Sequence, residues 1–211
     1  MNELERRSYD FEVRAEDNDE GAILTGRPIV YNSRTDLGWF DEVIDSGALD
    51  GTDLTDVRFL VNHDTSKIPL ARSRRNSGSS TMQFSVDHLG MILDWVKLDV
   101  ENNAEAKALY SAVKRGDITG MSFMFSVDAE EWTELESEHP TRHITKIGSV
   151  VEVSAVTFPA YRVTEITARS KDALESARSA LESARQQRAA EVETSEIELL
   201  KEKTRTLILG G

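Results

Sequence analysis

Nucleophilic catalysis by this chain would have to use a hydroxyl or an amine, because its 211 residues include no cysteine. A serine or threonine nucleophile needs a base that accepts its proton, and histidine is the side chain that most often does so. The sequence has four histidines, His63, His88, His139 and His143. The last three are expected at the surface, because they stand in a turn, beside Pro140 and at the start of a strand. His63 is therefore the candidate base.

His63 follows an apolar alternation of Val57, Phe59 and Val61, and it is predicted to close that face of a strand. A histidine at the end of an apolar face is more often a hydrogen-bonded residue of the core or its rim than a catalyst. Taken alone, His63 fits either interpretation.

Glu152 lies among valines in the apolar segment 150–156. In a strand that is buried on both faces, an unpaired carboxylate is costly and needs a cationic or donor partner. Orienting a histidine ring would account for a carboxylate at this position. If the strand is half exposed, Glu152 would simply face water.

Ser122 follows Gly120 in the segment GMSFMF at 120–125. The glycine lets the chain bend closely before the strand, and small residues beside a nucleophile leave room for a substrate carbonyl. A serine opposite apolar residues is also ordinary in a half-exposed sheet. Ser154 competes for the role, but it shares a strand face with Glu152, and two such neighbours could not easily both engage one histidine. Ser122 is therefore the first candidate.

Together these residues predict a catalytic triad with His63 as the base, Ser122 as the nucleophile and Glu152 as the orienting acid. Triads are recognised by the roles of their members and not by their order in the chain. His63 would take the Ser122 proton during attack on a peptide carbonyl, and Glu152 would stabilise the imidazolium.

The elements that position these residues are predicted to be short strands. Alternating apolar residues and turn residues indicate ten of them, at 9–15, 22–31, 39–44, 57–63, 68–72, 82–86, 91–98, 121–127, 143–147 and 150–158. One helix is predicted between Asn103, as its N-cap, and Gly116. Many short strands with one or two helices favour a mainly β, α+β fold, a closed or nearly closed β-barrel flanked by helices.

The composition changes near Ser170, where the segment ALESARS at 173–179 is followed by the near copy ALESARQ at 180–186. The copy predicts a helix with an apolar stripe that contains Leu174, Ala177, Leu181 and Ala184. This stripe fits two interpretations equally well. The helix is either an arm that docks on another surface or a solvated linker. The predicted domains are thus a β-barrel domain at 1–169 and a C-terminal helical arm at 170–211.

The net charge of −13 argues against nucleic acid as a partner, because phosphate binding needs a basic face. Residues 1–169 hold 30 of the 38 acidic side chains and 18 of the 25 basic ones. This excess fits a basic substrate or partner, and it fits plain solubility at least as well. The charged N-terminal residues predict no signal peptide, and no apolar run is long enough to predict a membrane span.

Neither a cofactor nor a metal ion is expected. His139 and His143 are four residues apart, but Pro140 between them disfavours a helical metal site and a metal-dependent hydrolase.

Five segments resemble the tailed-phage prohead serine proteases: FDEVIDSGAL at 40–49, VRFLVNHD at 57–64, IPLARS at 68–73, KRGDITGMSFMF at 114–125 and VVEVSAVTFPAY at 150–161. The likeness runs from about residue 9 to residue 167. Its specificity comes from order and spacing, since 59 residues separate His63 from Ser122 and 30 more lead to Glu152. The sequence departs from the family pattern at Ala71, where a glycine is expected.

The resemblance implies a fold similar to that of the herpesvirus assemblins, in which a β-barrel is ringed by helices. It implies a serine endopeptidase that acts in the host cytoplasm inside the immature capsid, or prohead. Its substrates would be scaffold, the major capsid protein and the protease itself. The family histidine falls on His63 and the family serine on Ser122. The related viral enzymes use a second histidine as the third member, for which Glu152 would substitute here.

The resemblance also implies self-association, because the related viral enzymes dimerise. The helical arm lies outside the resemblance; its heptad copy and the change in composition near Ser170 motivate two hypotheses, that it binds scaffold or capsid subunits or that it is removed by self-cleavage. An alternative function is a capsid-assembly or scaffolding protein that keeps the protease fold without catalysis.

Overall fold

The structure is a computed structural model, and it describes residues 4–9, 13–18, 21–158 and 168–209. Eleven strands and two helices are found in these residues. In chain order they are β1 Leu4–Tyr9, β2 Arg14–Asn18, β3 Gly21–Val30, β4 Thr35–Asp36, β5 Asp41–Ile44, β6 Asp56–Val61, β7 Ala71–Arg74, β8 Met82–Asp87, β9 Gly90–Leu98, α1 Ala104–Arg115, β10 Gly120–Thr133, β11 Thr141–Val156 and α2 Ala168–Leu209. The predicted mixed class, mainly strands with two helices, is confirmed.

The strands form two sheets, and the expected closed barrel is not found among the described residues. Seven strands make the larger sheet, in which β1, β10, β11, β5 and β4 lie side by side and β6 joins β11 to β7. The smaller sheet has the order β2, β3, β9 and β8. A core of buried apolar side chains from both sheets and α1 holds the described part together.

Strand β11 is the element that organises the larger sheet. It pairs antiparallel with β10 along its length, and it pairs parallel with β5 at Thr141 to Ile144 and with β6 at Glu152 to Ala155. The sequence predicted two strands here, at 143–147 and 150–158, but one continuous strand is present. β1, β10, β11 and β6 consequently run side by side around Ser122.

Two local predictions are confirmed by the structure. Asn103 caps α1, since its side-chain oxygen accepts hydrogen bonds from the backbone N–H groups of Glu105 and Ala106, at 3.0 and 3.2 Å. The helix is followed by Gly116 in the left-handed conformation, with φ of 78°. The predicted hairpin turn joins β8 to β9, which pair from Asp87 and Gly90 onward.

The prediction of a strand through His63 is wrong by two residues. β6 ends at Val61, and Asn62 and His63 follow in a turn with φ of 51° and 57°. The predicted strand at 9–15 falls partly on residues 10–12, outside the described residues, and the described ends of that range belong to β1 and β2.

Helix α2 packs on the rest of the chain through part of its predicted stripe. Ala177 and Leu181 are buried, and the Arg185 side chain donates to the carbonyl of Leu135 at 2.9 Å. The side chain of Leu174 lies outside the described residues. Beyond Arg185 the described side chains of the helix are exposed. No described helix is long and apolar enough to cross a bilayer.

Candidate active site

The sheet brings the three predicted site residues together from three different strands or their ends. Ser122 on β10 is directly opposite Ser154 on β11, and Glu152 lies two residues before Ser154. Opposite residues and residues two apart share a face of a sheet, so these three side chains project to the same side. The parallel pairing of β6 with β11 ends at Val61 and Ala155, and it delivers His63 to that side.

The His63 ring lies between the other two predicted residues. Its Nε2 atom is 2.5 Å from the Oγ of Ser122. Its Nδ1 atom hydrogen-bonds the Oε1 of Glu152. Because an ionised carboxylate only accepts hydrogen bonds, Nδ1 carries a proton toward Glu152 and Nε2 is left to accept one from Ser122. This arrangement is able to withdraw a proton from the serine hydroxyl.

The turn that holds His63 is fixed by Asn62. The side-chain amide of Asn62 donates to the Thr157 hydroxyl at 3.0 Å, and its oxygen accepts from the Thr157 backbone N–H at 2.9 Å. Its own N–H donates to the carbonyl of Ala155 at 2.9 Å. Two successive residues with positive φ are strained unless the surroundings hold them, and these three bonds tie the turn to the end of β11.

Ser154, the competing nucleophile, occupies a supporting position. Its hydroxyl donates to the Oε2 of Glu152 at 2.7 Å and accepts from the backbone N–H of His63 at 3.1 Å. The ring nitrogen that faces a serine contacts Ser122 instead. Ser154 therefore orients both the carboxylate and the histidine turn, a contribution that its strand face indicated but that the sequence analysis did not assign.

The three triad side chains and Ser154 are largely removed from solvent. Ser122 and Ser154 are 0% exposed and Glu152 is 2% exposed, while the His63 side chain is 11% exposed. The alternative in which Ser122 and Glu152 lie on half-exposed strands is therefore not what the structure has. Burial weakens screening by water, so the hydrogen bonds between these groups are stronger than at a surface.

A cluster of charged side chains links β1, β5, β10 and β11 and was not predicted. Arg7 on β1 and Arg142 on β11 lie among Glu5, Glu42 and Glu130, with Arg142 3% and Glu42 1% exposed. The Arg142 guanidinium donates to Glu5 at 2.8 and 2.9 Å and to Glu42 at 3.0 Å. No short sequence pattern could have indicated it, because its members are up to 137 residues apart.

The cluster shifts the pKa values of its members. Burial alone would raise the pKa of Glu5, but the charge of Arg7 and the hydrogen bonds and charge of Arg142 outweigh it and lower that pKa below its usual 4.5. Burial would lower the pKa of Arg7, but the charges of Glu42 and Glu5 raise it above its ordinary value. The buried arginines are therefore held charged, each with acidic partners.

Asp36, Asp41 and His139 are the described residues that come closest to a metal-binding arrangement. One ligand atom of each lies within 4.8 Å of the others. Asp36 is exposed and the other two are partly exposed, and His139 is already hydrogen-bonded to Asp41 at 3.1 Å. Surface groups of this kind are common without an ion, so the arrangement carries no argument for one.

Comparison with known proteins gave one match. The sequence model of a family described as caudovirus prohead serine protease matches residues 9–178. No curated protein and no solved structure matches the chain. The matched range includes Ser122, His63 and Glu152.

Proposed function

The chain belongs to the caudovirus prohead serine protease family, and from that premise we propose that it hydrolyses peptide bonds with Ser122, His63 and Glu152 as its catalytic triad. The observation that carries the proposal is the His63 ring, whose two nitrogens contact the Ser122 hydroxyl and the Glu152 carboxylate. A ring so placed can accept a proton on one side while a negative charge holds it on the other.

The reaction proceeds in two halves. The Oγ of Ser122 bonds to the carbonyl carbon of the substrate as Nε2 of His63 takes its proton, and the proton then passes to the leaving amine as the C–N bond breaks. Water then bonds to the acyl carbon as the same nitrogen takes its proton; the ester bond to Oγ of Ser122 breaks, the proton passes from Nε2 to that oxygen, and the new carboxyl end is released. Glu152 accepts a hydrogen bond from Nδ1 throughout and stabilises the imidazolium.

The substrates are the scaffold and the major capsid protein of a tailed phage, and the chain acts on them inside the prohead in the host cytoplasm. Self-processing and self-association belong to the same proposal. Residues 1–169 form the catalytic domain, and residues 170–211 form an arm that docks on a protein surface or is removed by self-cleavage. Family membership supports the serine protease activity, the capsid and scaffold substrates and the location in the prohead in general terms. The likeness of the fold to the herpesvirus assemblins stays a prediction.

One observation favours the second candidate, a capsid-assembly protein without catalysis. Ser122 is fully buried, and a nucleophile must be reachable by its substrate. An assembly protein that had lost catalysis would, however, have no need to keep three side chains in hydrogen-bonded contact around one histidine. The geometry therefore favours the protease.

A phosphonylating serine-hydrolase reagent separates the two candidates. We expect an adduct on Ser122, located by peptide mass mapping, and none on the Ser122→Ala variant. The Ser154→Ala variant is the comparison, since it removes the competing hydroxyl: it should still be labelled at Ser122, more slowly because Ser154 helps to position Glu152 and His63. An adduct on Ser154, or an unlabelled chain that also leaves co-expressed capsid protein whole, would refute the assignment.

A further inference from the structure

Strand β1 lies directly beside Ser122 in the larger sheet. It is the edge strand of the larger sheet and pairs antiparallel with β10 from Leu4 opposite Ser126 to Tyr9 opposite Met121. Ser8 of β1 is directly opposite Ser122. Because β1 is the first strand of the sheet and sits at its edge, it can leave without breaking the pairing of β10 with β11.

The backbone of β1 contacts the proposed nucleophile directly. The Ser122 hydroxyl donates to the carbonyl oxygen of Arg7 at 2.7 Å. A serine has one hydroxyl proton, so this carbonyl competes with His63 for it. An extended strand with a peptide carbonyl within hydrogen-bonding reach of the nucleophile is also what a bound substrate must present before the reaction.

The Arg7 side chain belongs to the charged cluster. Its Nε and Nη2 atoms donate to the two oxygens of Glu42, the second at 2.6 Å, and Nη2 also contacts Glu5 at 2.5 Å. A two-point contact of this kind matches the planar guanidinium to a carboxylate. Glu42 is 1% exposed, so its charge is costly unless a cation lies against it.

The members of the cluster that stay when β1 leaves carry more negative than positive charge. β1 contributes one positive and one negative member, Arg7 and Glu5. The remaining members are Arg142, Glu42 and Glu130, which carry one negative charge in excess. The excess is the same with β1 in place, but Glu42 then has the Arg7 guanidinium against it. When β1 departs, a basic side chain from another strand would take over that contact with Glu42.

We propose that β1 occupies the position of the substrate, and that a peptide replaces it as a strand antiparallel to β10 with an arginine or lysine against Glu42. The basic residue is the one whose carbonyl faces Ser122, so the bond after it is cleaved. Glu42 is then a specificity-determining residue, and β1 shields Ser122 until it is displaced. This inference rests on the proposed role of Ser122, and it adds the chemical class of the substrate.

A reversible disulfide bridge tests whether β1 must leave the sheet before Ser122 can react. Leu4 and Ser126 are cross-strand partners, and directly opposite residues are close enough for a disulfide. Since the chain has no cysteine, a Leu4→Cys/Ser126→Cys variant forms a defined bridge. We expect oxidation to slow phosphonylation of Ser122 at least about tenfold and a reductant to restore it, with no such change in the single Leu4→Cys variant. Equal rates in the two states would overturn the inference.

A charge reversal gives a second, independent displacement of β1. Arg7→Glu places a third carboxylate against Glu5 and Glu42 and should increase the labelling rate of Ser122 several-fold. Arg74→Glu is the control, with the same change of charge on an exposed residue of β7, and it should leave the rate nearly unchanged. If the two variants are labelled at equal rates, β1 does not shield Ser122.

Peptides test the substrate class on the Arg7→Glu chain and on the reduced double-cysteine chain. We expect a peptide with arginine or lysine before the scissile bond to be cleaved at least about tenfold faster than one with alanine or glutamate there. Glu42→Gln should narrow that preference to less than about threefold. Rates that do not depend on this side chain would overturn the assignment of Glu42. Cleavage that survives Ser122→Ala, or a Ser122 that never reacts, would instead refute the proposed function.

Discussion

At the scale of single residues, the geometry of the site depends on the hydrogen bonds that one buried carboxylate accepts. Glu152 is 2% exposed and is hydrogen-bonded by the His63 ring and by the Ser154 hydroxyl, the latter at 2.7 Å. A buried charge with two donors is held in one orientation, and so is the ring that it contacts. The position of Nε2 beside Ser122 therefore follows from Glu152 and Ser154 together.

Replacing Glu152 with glutamine should lower kcat while leaving KM nearly unchanged. The amide keeps the shape of the side chain but cannot stabilise the imidazolium, and it allows the wrong ring tautomer, so we expect a loss of about 10²–10⁴-fold in kcat. Steady-state kinetics on a cleaved peptide measure it. Asp64→Asn is the control, because Asp64 follows His63 directly and is only partly buried. A similar loss for both variants would show that Glu152 has no special role.

The residue types of the candidate site were predictable, but their environment was not. The apolar neighbours of Glu152 and the single histidine at the end of an apolar run are visible in the sequence. The left-handed turn at Asn62 and His63 is not, because it is stabilised by Thr157, 95 residues away. The complete burial of Ser122 likewise follows from elements distant in sequence.

At the scale of elements, β1 is held in place by buried charges. Glu5 contacts Arg7 on its own strand and Arg142 on β11, and these cations lower its pKa below 4.5 despite its burial. Glu42 contacts both arginines, and Glu130 contacts Arg142. A carboxyl whose pKa is lower in the folded chain stabilises that chain above its unfolded pKa.

The attachment of β1 should therefore weaken in acid. We expect Glu5→Gln to lower the free energy of unfolding by about 1–3 kcal/mol at pH 7. This difference from the wild type should shrink as the pH falls below 4.5 and Glu5 of the folded wild type becomes protonated. Denaturant unfolding at several pH values measures it, with the exposed Glu101→Gln as the control. A difference that stays constant down to pH 3 would contradict the role given to Glu5.

The two ends of α2 differ in their contacts. Leu181 is 4% exposed against the rest of the chain, whereas Leu199 is 52% exposed. We expect Leu181→Ala to lower the free energy of unfolding by about 2 kcal/mol and Leu199→Ala by less than about 0.5 kcal/mol. Thermal or denaturant unfolding compares the two variants directly. Equal effects would mean that α2 does not dock through Leu181.

Structural elements were predicted correctly where residues close together in the sequence determine them. The Asn103 cap and the turn before Gly90 depend on neighbouring residues alone. The break predicted between 147 and 150 is wrong. Gly148 lies within β11 and faces Asp128, whose Oδ1 would be 2.2 Å from an added Cβ. The glycine leaves room for the Asp128 side chain and does not interrupt the strand.

At the scale of the whole molecule, the arrangement of the sheets was the least predictable property. Short strands with alternating residues indicated a closed barrel, whereas the described strands form two sheets. Closure depends on which distant strands pair, and the pattern within a strand carries no such information. The parallel pairings of β11 with β5 and with β6 join strands that are distant in the sequence in this way.

The acidic character of the molecule is consistent with the substrate proposed for it. The net charge is −13, and residues 1–169 hold most of the excess. A field of this sign attracts basic peptide segments and repels nucleic acid. The whole-molecule charge and the buried Glu42 therefore favour the same class of substrate.

Cleavage of the phage's major capsid protein, co-expressed with this chain, tests the central claim most directly. Intact mass is measured for the capsid protein with the wild-type chain, with Ser122→Ala and with Ser126→Ala, which removes a nearly buried hydroxyl from the same strand. The account predicts defined shorter products with the wild type and Ser126→Ala, and whole capsid protein with Ser122→Ala. Identical products with Ser122→Ala, or a capsid protein left whole by all three chains, would contradict it.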